Sequence, residues 1–226
     1  MVLGRILLTG GSGTLGTELR KLNSELLCPT SNELDITNPE SINNYFSSNT
    51  FEVVIHAAAY TDVTKTEKDF ENALDINIAG TYNLLKSCIS RNIKLIYIST
   101  DYVFDGEEGD YKPSDPLNPL TKYAKSKAAA ELMVRMYDNS LCIRTSFFGS
   151  SFPYDKALED QWTTKDYIDV MAPKILKECL SGKTGISHCY SKKRTVYNLA
   201  KIRNKNISKI KRKDLDFVIP RDTSLC

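Results

Sequence analysis

The sequence predicts an α/β fold built on a doubly wound parallel sheet, and three observations carry that expectation. Short β-rich runs alternate with longer amphipathic segments through about residue 145, the pattern of consecutive βαβ units. Two of the runs, Val53-Val54-Ile55 and Ile93 to Ile98, are almost continuously apolar, as strands covered on both faces must be. A glycine-rich turn, Thr9-Gly10-Gly11-Ser12-Gly13-Thr14-Leu15-Gly16, ends the first run and opens the first amphipathic segment. That order makes the expected sheet Rossmann-type.

The strands are expected at Arg5–Thr9, Glu25–Cys28, Val53–His56, Leu95–Ser99 and Leu141–Arg144, with helices near 14–22, 39–47, 67–90 and 119–137. The stretch from Met1 to Leu8 is too short for a signal peptide and runs directly into the glycine turn, so it reads as the first buried strand. After about residue 146 the character changes. Phe147 to Pro153 reads as a loop, Asp166–Leu180 as a helix ended by Ser181-Gly182, and 185–190 as a short strand. The expected division is a dinucleotide-binding domain over 1–146 and a small substrate-binding lobe with a basic tail over 147–226. The tail, from Lys192 to Lys213, carries no acidic residue. It reads as a solvated face or, more sharply, as counter-charge for a substrate diphosphate. With one aromatic residue, Tyr197, and no recognition motif, it is not a nucleic-acid site.

Hydrophobic residues make up 41% of the 226-residue chain and charged residues 26%, with a formal net charge of +2. Such a composition suits a soluble domain with a real core and gives no general attraction to nucleic acid or membrane. No apolar run approaches the roughly 18 residues of a membrane helix. The six cysteines form no CxxC pair, which points to reduced core thiols and a cytoplasmic setting. His56 and His188 are isolated, and no metal is expected.

Gly10-x-x-Gly13-x-x-Gly16 suits a phosphate-binding turn. Glycine permits the backbone conformation and the close approach, and the helix N-terminus offers free N–H groups to a pyrophosphate. The candidate cofactor residues are Gly10, Ser12, Gly13, Thr14, Leu15 and Gly16, although a plain glycine loop has the same appearance. Asp35 is placed to accept from an adenine amino group, with Ile36 against the ring; Asp35 is alternatively a helix cap. The tip Cys28-Pro29-Thr30-Ser31-Asn32 lacks the acidic residue that holds a ribose 2′-OH and repels a 2′-phosphate. NADPH and NADH both stay open, with a lean to NADPH. In His56-Ala57-Ala58-Ala59-Tyr60-Thr61, small residues at a strand end let a cofactor lie against the backbone, making Ala57, Ala58, Ala59 and Tyr60 candidates; close packing is the competing explanation.

Three Tyr/Lys pairs share a spacing of four: Tyr82/Lys86, Tyr123/Lys127 and Tyr197/Lys201. Spacing puts each pair on one helix face but does not choose among them. Tyr123 is distinguished by following the fourth strand, Thr100, and a loop with Pro113, Pro116 and Pro119 that is expected to hang over a cleft. Reducing a ketone needs a hydride and a proton for the developing alkoxide. A tyrosine has a pKa near ~10, and a neighbouring ammonium brings it closer to neutrality. Lys127 is expected to supply that charge and to hold the nicotinamide ribose, while Thr100 orients the carbonyl oxygen.

Together with Leu34-Asp35-Ile36-Thr37, Asn77-x-x-Gly80-Thr81, Ser99-Thr100-Asp101-Tyr102-Val103-Phe104 and Arg144-Thr145-Ser146, these motifs resemble the dTDP-4-dehydrorhamnose reductase family of extended short-chain dehydrogenases over residues 5–150. The resemblance implies a catalytic triad of Thr100, Tyr123 and Lys127, with Thr100, Asp101 and Phe147 toward the sugar; Phe147 stands where the family often has a tryptophan. Sugar-nucleotide dehydratases tend to carry an acid in place of Tyr102, which favours a reductase. Asp160-Gln161-Trp162 and Pro220 to Leu225 look like family landmarks, while the segment between Gly149 and Asp160 is shorter than usual, so the C-terminal substrate lobe is expected to be small. The implied activity is NAD(P)H-dependent reduction of the C4 ketone of a nucleotide-linked 4-keto-6-deoxysugar, in rhamnose and polysaccharide biosynthesis, with Tyr123 as proton donor. The implied partners are the nucleotide sugar and, in a homodimer, a second copy. Two alternatives stand beside it: a non-catalytic dinucleotide-binding regulatory subunit, a use of the fold that the regulatory β subunit of methionine adenosyltransferase resembles, and a sugar-nucleotide epimerase.

Overall fold

A computed structural model describes residues 5–226; the part of the expected first strand at Met1 to Gly4 lies outside the described residues. The elements run in the order β1 (Ile6–Thr9), α1 (Thr14–Leu22), α2 (Pro39–Ser48), β2 (Val53–His56), α3 (Val63–Lys68), α4 (Glu71–Ala73), a π-helical stretch (Leu74–Gly80), α5 (Thr81–Arg91), β3 (Lys94–Thr100), a 3₁₀ turn (Asp101–Val103), α6 (Lys122–Val134) and β4 (Ser140–Thr145). Then come β5 (Phe147–Phe148), β6 (Lys156–Leu158), β7 (Trp162–Thr163), β8 (Asp166–Tyr167), α7 (Ile168–Cys179), β9 (Gly185–His188), β10 (Arg194–Thr195), α8 (Val196–Arg203) and β11 (Ser208–Ile210).

The main sheet is parallel throughout, in the order β1-β2-β3-β4-β9. Alternation of side chains divides each strand between two apolar layers. Ile6, Leu8, Val53, Ile55, Ile96, Ile98 and Ile143 face α1 and α7. Leu7, Val54, Leu95, Tyr97 and Cys142 face α2, α5 and α6. Both layers are dry, which is why the strands read as unbroken apolar runs.

The expected strand at Glu25–Cys28 shrinks to a single bridge between Leu27 and Leu7. Leu27 N donates to Ile6 O at 2.9 Å and Leu8 N to Leu27 O at 2.8 Å. Pro29 has no N–H with which to extend the ladder. The bridge still sets the chain's direction: after β1 the chain moves to one side of it, and β2 then returns to the other. The crevice at that reversal, beyond the carboxyl ends of the strands, is where such sheets bind ligands.

The expected helix at 67–90 is divided by Asp69 and Phe70, and its middle is π-helical. Asn92, left-handed at φ 53°, ends α5, a role Asn shares with Gly. α6 begins where Thr121 accepts from Ala124 N at 3.1 Å.

The division at 146/147 is sequential but not spatial. α7 and β9 return to the main sheet, β9 pairing with β4 and α7 packing into the first layer. The remaining pieces form three short pairs, β5–β8, β7–β10 and β6–β11, around a small cluster with Leu158, Val196 and Ala200. The basic tail is neutralised from elsewhere in the chain. Lys193 pairs with Asp110 and Asp222 at 2.7 and 2.8 Å, Arg194 with Asp166 at 2.9 Å, Arg203 with Asp169 at 2.7 Å and Lys209 with Glu159 at 2.9 Å. These four of its basic residues therefore serve as structural charge. Nor does the proline loop hang over a cleft: Tyr111 stacks on Phe104 at 4.1 Å and bridges to Leu225.

Among the described residues no helix is long and apolar enough to cross a membrane, and no His, Cys, Asp or Glu side chains are grouped to hold a metal ion. The six cysteines are free thiols.

Candidate active site

Two cavities open at the carboxyl ends of β1, β2 and β3 and share Gly10, Gly13, Ala57 and Ala59. The first, about 560 Å³, runs over the glycine turn toward Ser12, Pro29, Ser31, Asp35, Ile36 and Ala58. The second, about 430 Å³, runs past Thr14, Leu15 and Gly16 to Thr100, Tyr123 and Lys127. A long ligand crossing the shared glycine and alanine backbone reaches from one to the other.

The turn is shaped for close approach. Gly10 has φ +76°, and a Cβ there would lie 2.5 Å from Ala58 N; a Cβ on Gly16 would strike the Gly10 carbonyl. No side chain caps α1, so the first-turn N–H groups keep their capacity for an anion. At the far end Thr145 and Ser146 line the cavity at the end of β4. Bare backbone and an open helix end suit a dinucleotide lying across the sheet edge.

Asp35 reaches the first cavity but is already engaged, its Oδ1 accepting from Thr37 N at 2.9 Å and Thr37 Oγ1 at 2.8 Å. Asn38, not Asp35, caps α2. Ile36 is buried against Gly80, where a Cβ would come within 2.9 Å. The sequence shows no arginine at the Cys28 tip, yet the Arg20 stem passes 3.6 Å from a Cβ built on Gly11. Burial raises the Cys28 pKa, and the Arg20 charge opposes the rise.

Tyr60 differs from the expectation. Its side chain is not on either cavity wall, and its backbone is what matters. Asn77 Oδ1 accepts from Tyr60 N at 2.8 Å, while Asn77 Nδ2 donates to Tyr60 O at 3.0 Å and to Ser126 Oγ at 2.9 Å. The π-helical stretch thus clamps the alanine turn to α6. Behind it Thr9 donates to His56 Nδ1 at 2.7 Å, and His56 Nε2 donates to Thr81, whose hydroxyl donates to Asn77 O. Burial holds His56 neutral, its pKa pushed down to about 3.

Thr100, at the end of β3, donates to Asp101 Oδ1 at 3.2 Å. Asp101 also departs from the expectation: it is 1% exposed, lies behind the wall, and its Oδ2 accepts from Thr223 at 2.9 Å. It acts on the site through Thr100. Phe147 is on the wall, joined by three aromatic groups that motif reading passed over as contacts: Tyr102, Phe148 and Tyr154. Lys165 completes the surface, with Nζ 4.2 Å from the Tyr102 ring centroid. Nothing in its local sequence marks it.

α6 is fixed in place by a buried ion pair. Arg144 of β4 meets Glu131 at 2.7 Å, Ser99 of β3 donates to Glu131 at 2.7 Å, and Arg144 also donates to Pro113 O at 3.1 Å. Four residues before Glu131, Lys127 donates to Ile98 O at 2.8 Å and sits 4.1 Å over the Tyr97 ring. Burial pushes its pKa down to about 7, against the pull of Glu131. Tyr123 is pushed up to about 12, first by burial and then by Asp101, with Lys165 and Thr100 opposing. The other Tyr/Lys pairs are cation–π contacts, each 5.7 Å from nitrogen to ring centroid.

A family model described as the RmlD substrate binding domain matches residues 4–174. The dTDP-4-dehydrorhamnose reductase of Aggregatibacter actinomycetemcomitans is 36% identical over 191 residues, 80% of this chain and 64% of that protein. A crystal structure of dTDP-4-dehydrorhamnose reductase from Bacillus anthracis in complex with NADP superposes with a TM-score of 0.89 at 25% identity, covering 100% of this chain and 91% of that one. The Clostridium acetobutylicum orthologue superposes equally well, TM-score 0.89, at 28% identity over 98% of this chain and 90% of its own. In sequence, the chain therefore spans just under two thirds of the first of these relatives. With that family model matched over residues 4–174, the chain belongs to the RmlD substrate binding domain family.

Proposed function

We propose that the protein reduces the C4 ketone of a nucleotide-linked 4-keto-6-deoxysugar, using NADPH. The observation that carries the reading is convergence: Thr100 from β3 and Tyr123 and Lys127 from α6 line one cavity that continues into the glycine turn. The reductases to which the chain is similar support the substrate class, and the NADP complex among them supports the cofactor. Arg20, beside Gly11 and Cys28, supports a 2′-phosphate at the tip where an acidic residue is missing.

A nicotinamide dinucleotide bound across the two cavities supplies the hydride. The glycine turn and the α1 N-terminus would hold its phosphates, Asp35 and Ile36 would lie on the adenine side, and Lys127 would hold the ribose of the nicotinamide. The carbonyl oxygen of the sugar enters between Thr100 and Tyr123, where the Thr100 hydroxyl can exchange Asp101 for this new acceptor. Tyr123, protonated at neutral pH because its pKa is pushed up to about 12, gives its proton to the oxygen as negative charge develops there. Phe147, Phe148 and Tyr154 supply an aromatic side of the cavity for the sugar to pack against.

The test follows cofactor absorbance with NADPH, then NADH, and enzymatically prepared dTDP-4-dehydrorhamnose. Oxidation that falls by about 10²–10⁴ in Tyr123→Phe supports the reading. In Arg20→Ala, a raised KM for NADPH with an unchanged KM for NADH supports the 2′-phosphate site. Binding of cofactor without oxidation of either would overturn the reductase in favour of a regulatory subunit.

A further inference from the structure

Lys165 lies between β7 and β8, in a part of the chain that carries no dinucleotide motif. Its backbone is pinned on both sides. Its N–H donates to Thr163 Oγ1 at 3.0 Å, and the adjacent Asp166 is registered with Phe147 in the β5–β8 pair. From there the side chain reaches back to the end of β3, with Nζ 4.2 Å from the Tyr102 ring centroid and 5.7 Å from that of Phe148. The carboxylates nearby are engaged by other groups: Asp101 by Thr100 and Thr223, Asp166 by Arg194 and Ser191. The ammonium, held at Tyr102, lines the same cavity as Tyr123.

We propose that Lys165 is a further residue of the proton-transfer site, its ammonium stabilising the Tyr123 phenolate formed as the phenol gives up its proton, while Lys127 serves the cofactor. The inference rests on the reductase reading. In the step, the Tyr123 O–H bond breaks and an O–H bond forms on the former carbonyl oxygen. The hydride from the reduced nicotinamide has gone to the carbon, and the phenolate is reprotonated from solvent. Thr100, Tyr102, Lys127 and Lys165 line the same cavity as Tyr123, with Asp101 behind that wall. Asp101 and Tyr102 disfavour the phenolate, and Lys165 and Thr100 favour it. Lys127 is turned to the Ile98 carbonyl, and with a pKa near 7 it is charged only part of the time at neutrality. Lys165 stays charged: burial alone would lower its pKa, but Tyr102 and Asp101 raise it above the usual lysine value.

Tetranitromethane nitrates phenolate and needs no substrate, so it reads this coupling directly. The full chain, Lys165→Met, Lys165→Arg and Lys127→Met are treated near neutral pH, and nitration of Tyr123 is measured by peptide mass spectrometry relative to surface Tyr82. Relative nitration of Tyr123 should fall at least about tenfold in Lys165→Met, the equivalent of one unit, return in Lys165→Arg, and change less in Lys127→Met. kcat on the ketone should fall in parallel in Lys165→Met, while NADPH affinity, read by fluorescence, stays unchanged. Lys165→Gln serves as the neutral variant should Lys165→Met fail to fold. Unchanged nitration with a raised KM for the nucleotide sugar would overturn the proposal and make Lys165 a substrate anchor, and a larger loss in Lys127→Met would return the role to Lys127. If the wild type reduces no ketone, the reductase reading fails while the nitration result still decides whether Lys165 acts on Tyr123.

Discussion

Lys127 is a lysine held where a lysine is costly. It is 3% exposed, and burial holds its pKa at about 7, below the ordinary value of about 10.4. Between those two values the unfolded chain binds a proton that the folded chain does not, so stability rises with pH across the window and the full penalty is present below it. Lys127→Met should therefore melt at a higher temperature than wild type near about pH 6, with the gain narrowing near about pH 9. The same variant should lose ketone reduction, an exchange of stability for activity common at functional sites. Thermal scans at the two pH values check this, and equal offsets at both would refute the assigned cost. Asp101 shows the opposite arrangement: an acid kept off the cavity wall and spent on orienting Thr100.

The π-helical stretch between α4 and α5 sets the site from a distance. Inserting it puts Asn77, 1% exposed, opposite both the Tyr60 backbone and Ser126 of α6. π-bulges occur often at functional sites, and here the effect is a hydrogen-bonded clamp between the wall that carries Ala57 to Ala59 and the helix that carries Tyr123 and Lys127. Asn77→Ala leaves the Tyr60 N–H and C=O without their partner and removes one of the two hydrogen bonds of Ser126, and should cost about 1–3 kcal/mol, seen as a lower urea midpoint with unchanged slope. It should also raise KM for the cofactor, because the alanine turn is no longer fixed against α6. A stability loss with unchanged cofactor binding would reduce the clamp to packing. Glu131 and Arg144 do the corresponding work for α6 against β3 and β4.

Across the whole molecule several carboxylates are held by charge and hydrogen bonds against the cost of their burial. Asp222 is threaded beside Gly106 and Gly109 and pairs with Lys193. Burial alone would raise its pKa, but Lys193 and Ser224 hold it below the usual range. Asp105 and Glu178 behave alike, against burial, through Tyr111 and through Ser187 with Lys183. A carboxyl with a lowered folded pKa contributes stability that is complete above the unfolded value of about 4 and lost as pH falls through the folded one. Melting temperature should hold down to about pH 5 and drop steeply below about pH 4. Lys193→Met should lower the plateau and make the acid drop shallower; an unchanged slope would place the acid sensitivity elsewhere.

The parallel sheet and its helices were legible in the sequence because their signals are local. Val53 to Ile55 needs only its own apolar run to announce a strand buried on both faces, and Gly10 and Gly16 stand where any side chain would strike backbone. Thr100, Tyr123 and Lys127 were legible as candidates because each belongs to a motif at the end of a predictable element. The strand at Glu25–Cys28 reads as one by composition, and Pro29 together with its edge position reduces it to a bridge. What tertiary structure alone decided were the partners. Lys165 is 42 positions from Tyr123 by number, and its only local mark is a lysine in a short loop. The folded chain, by pinning that loop at Thr163 and Asp166, delivers its charge to the phenol. The basic tail looked free because its acids lie at Asp110, Glu159, Asp166, Asp169 and Asp222. Propensity and periodicity act within a turn or two of chain, whereas Coulomb attraction and burial act between whatever surfaces folding brings together, and only the latter decide which charge a site feels.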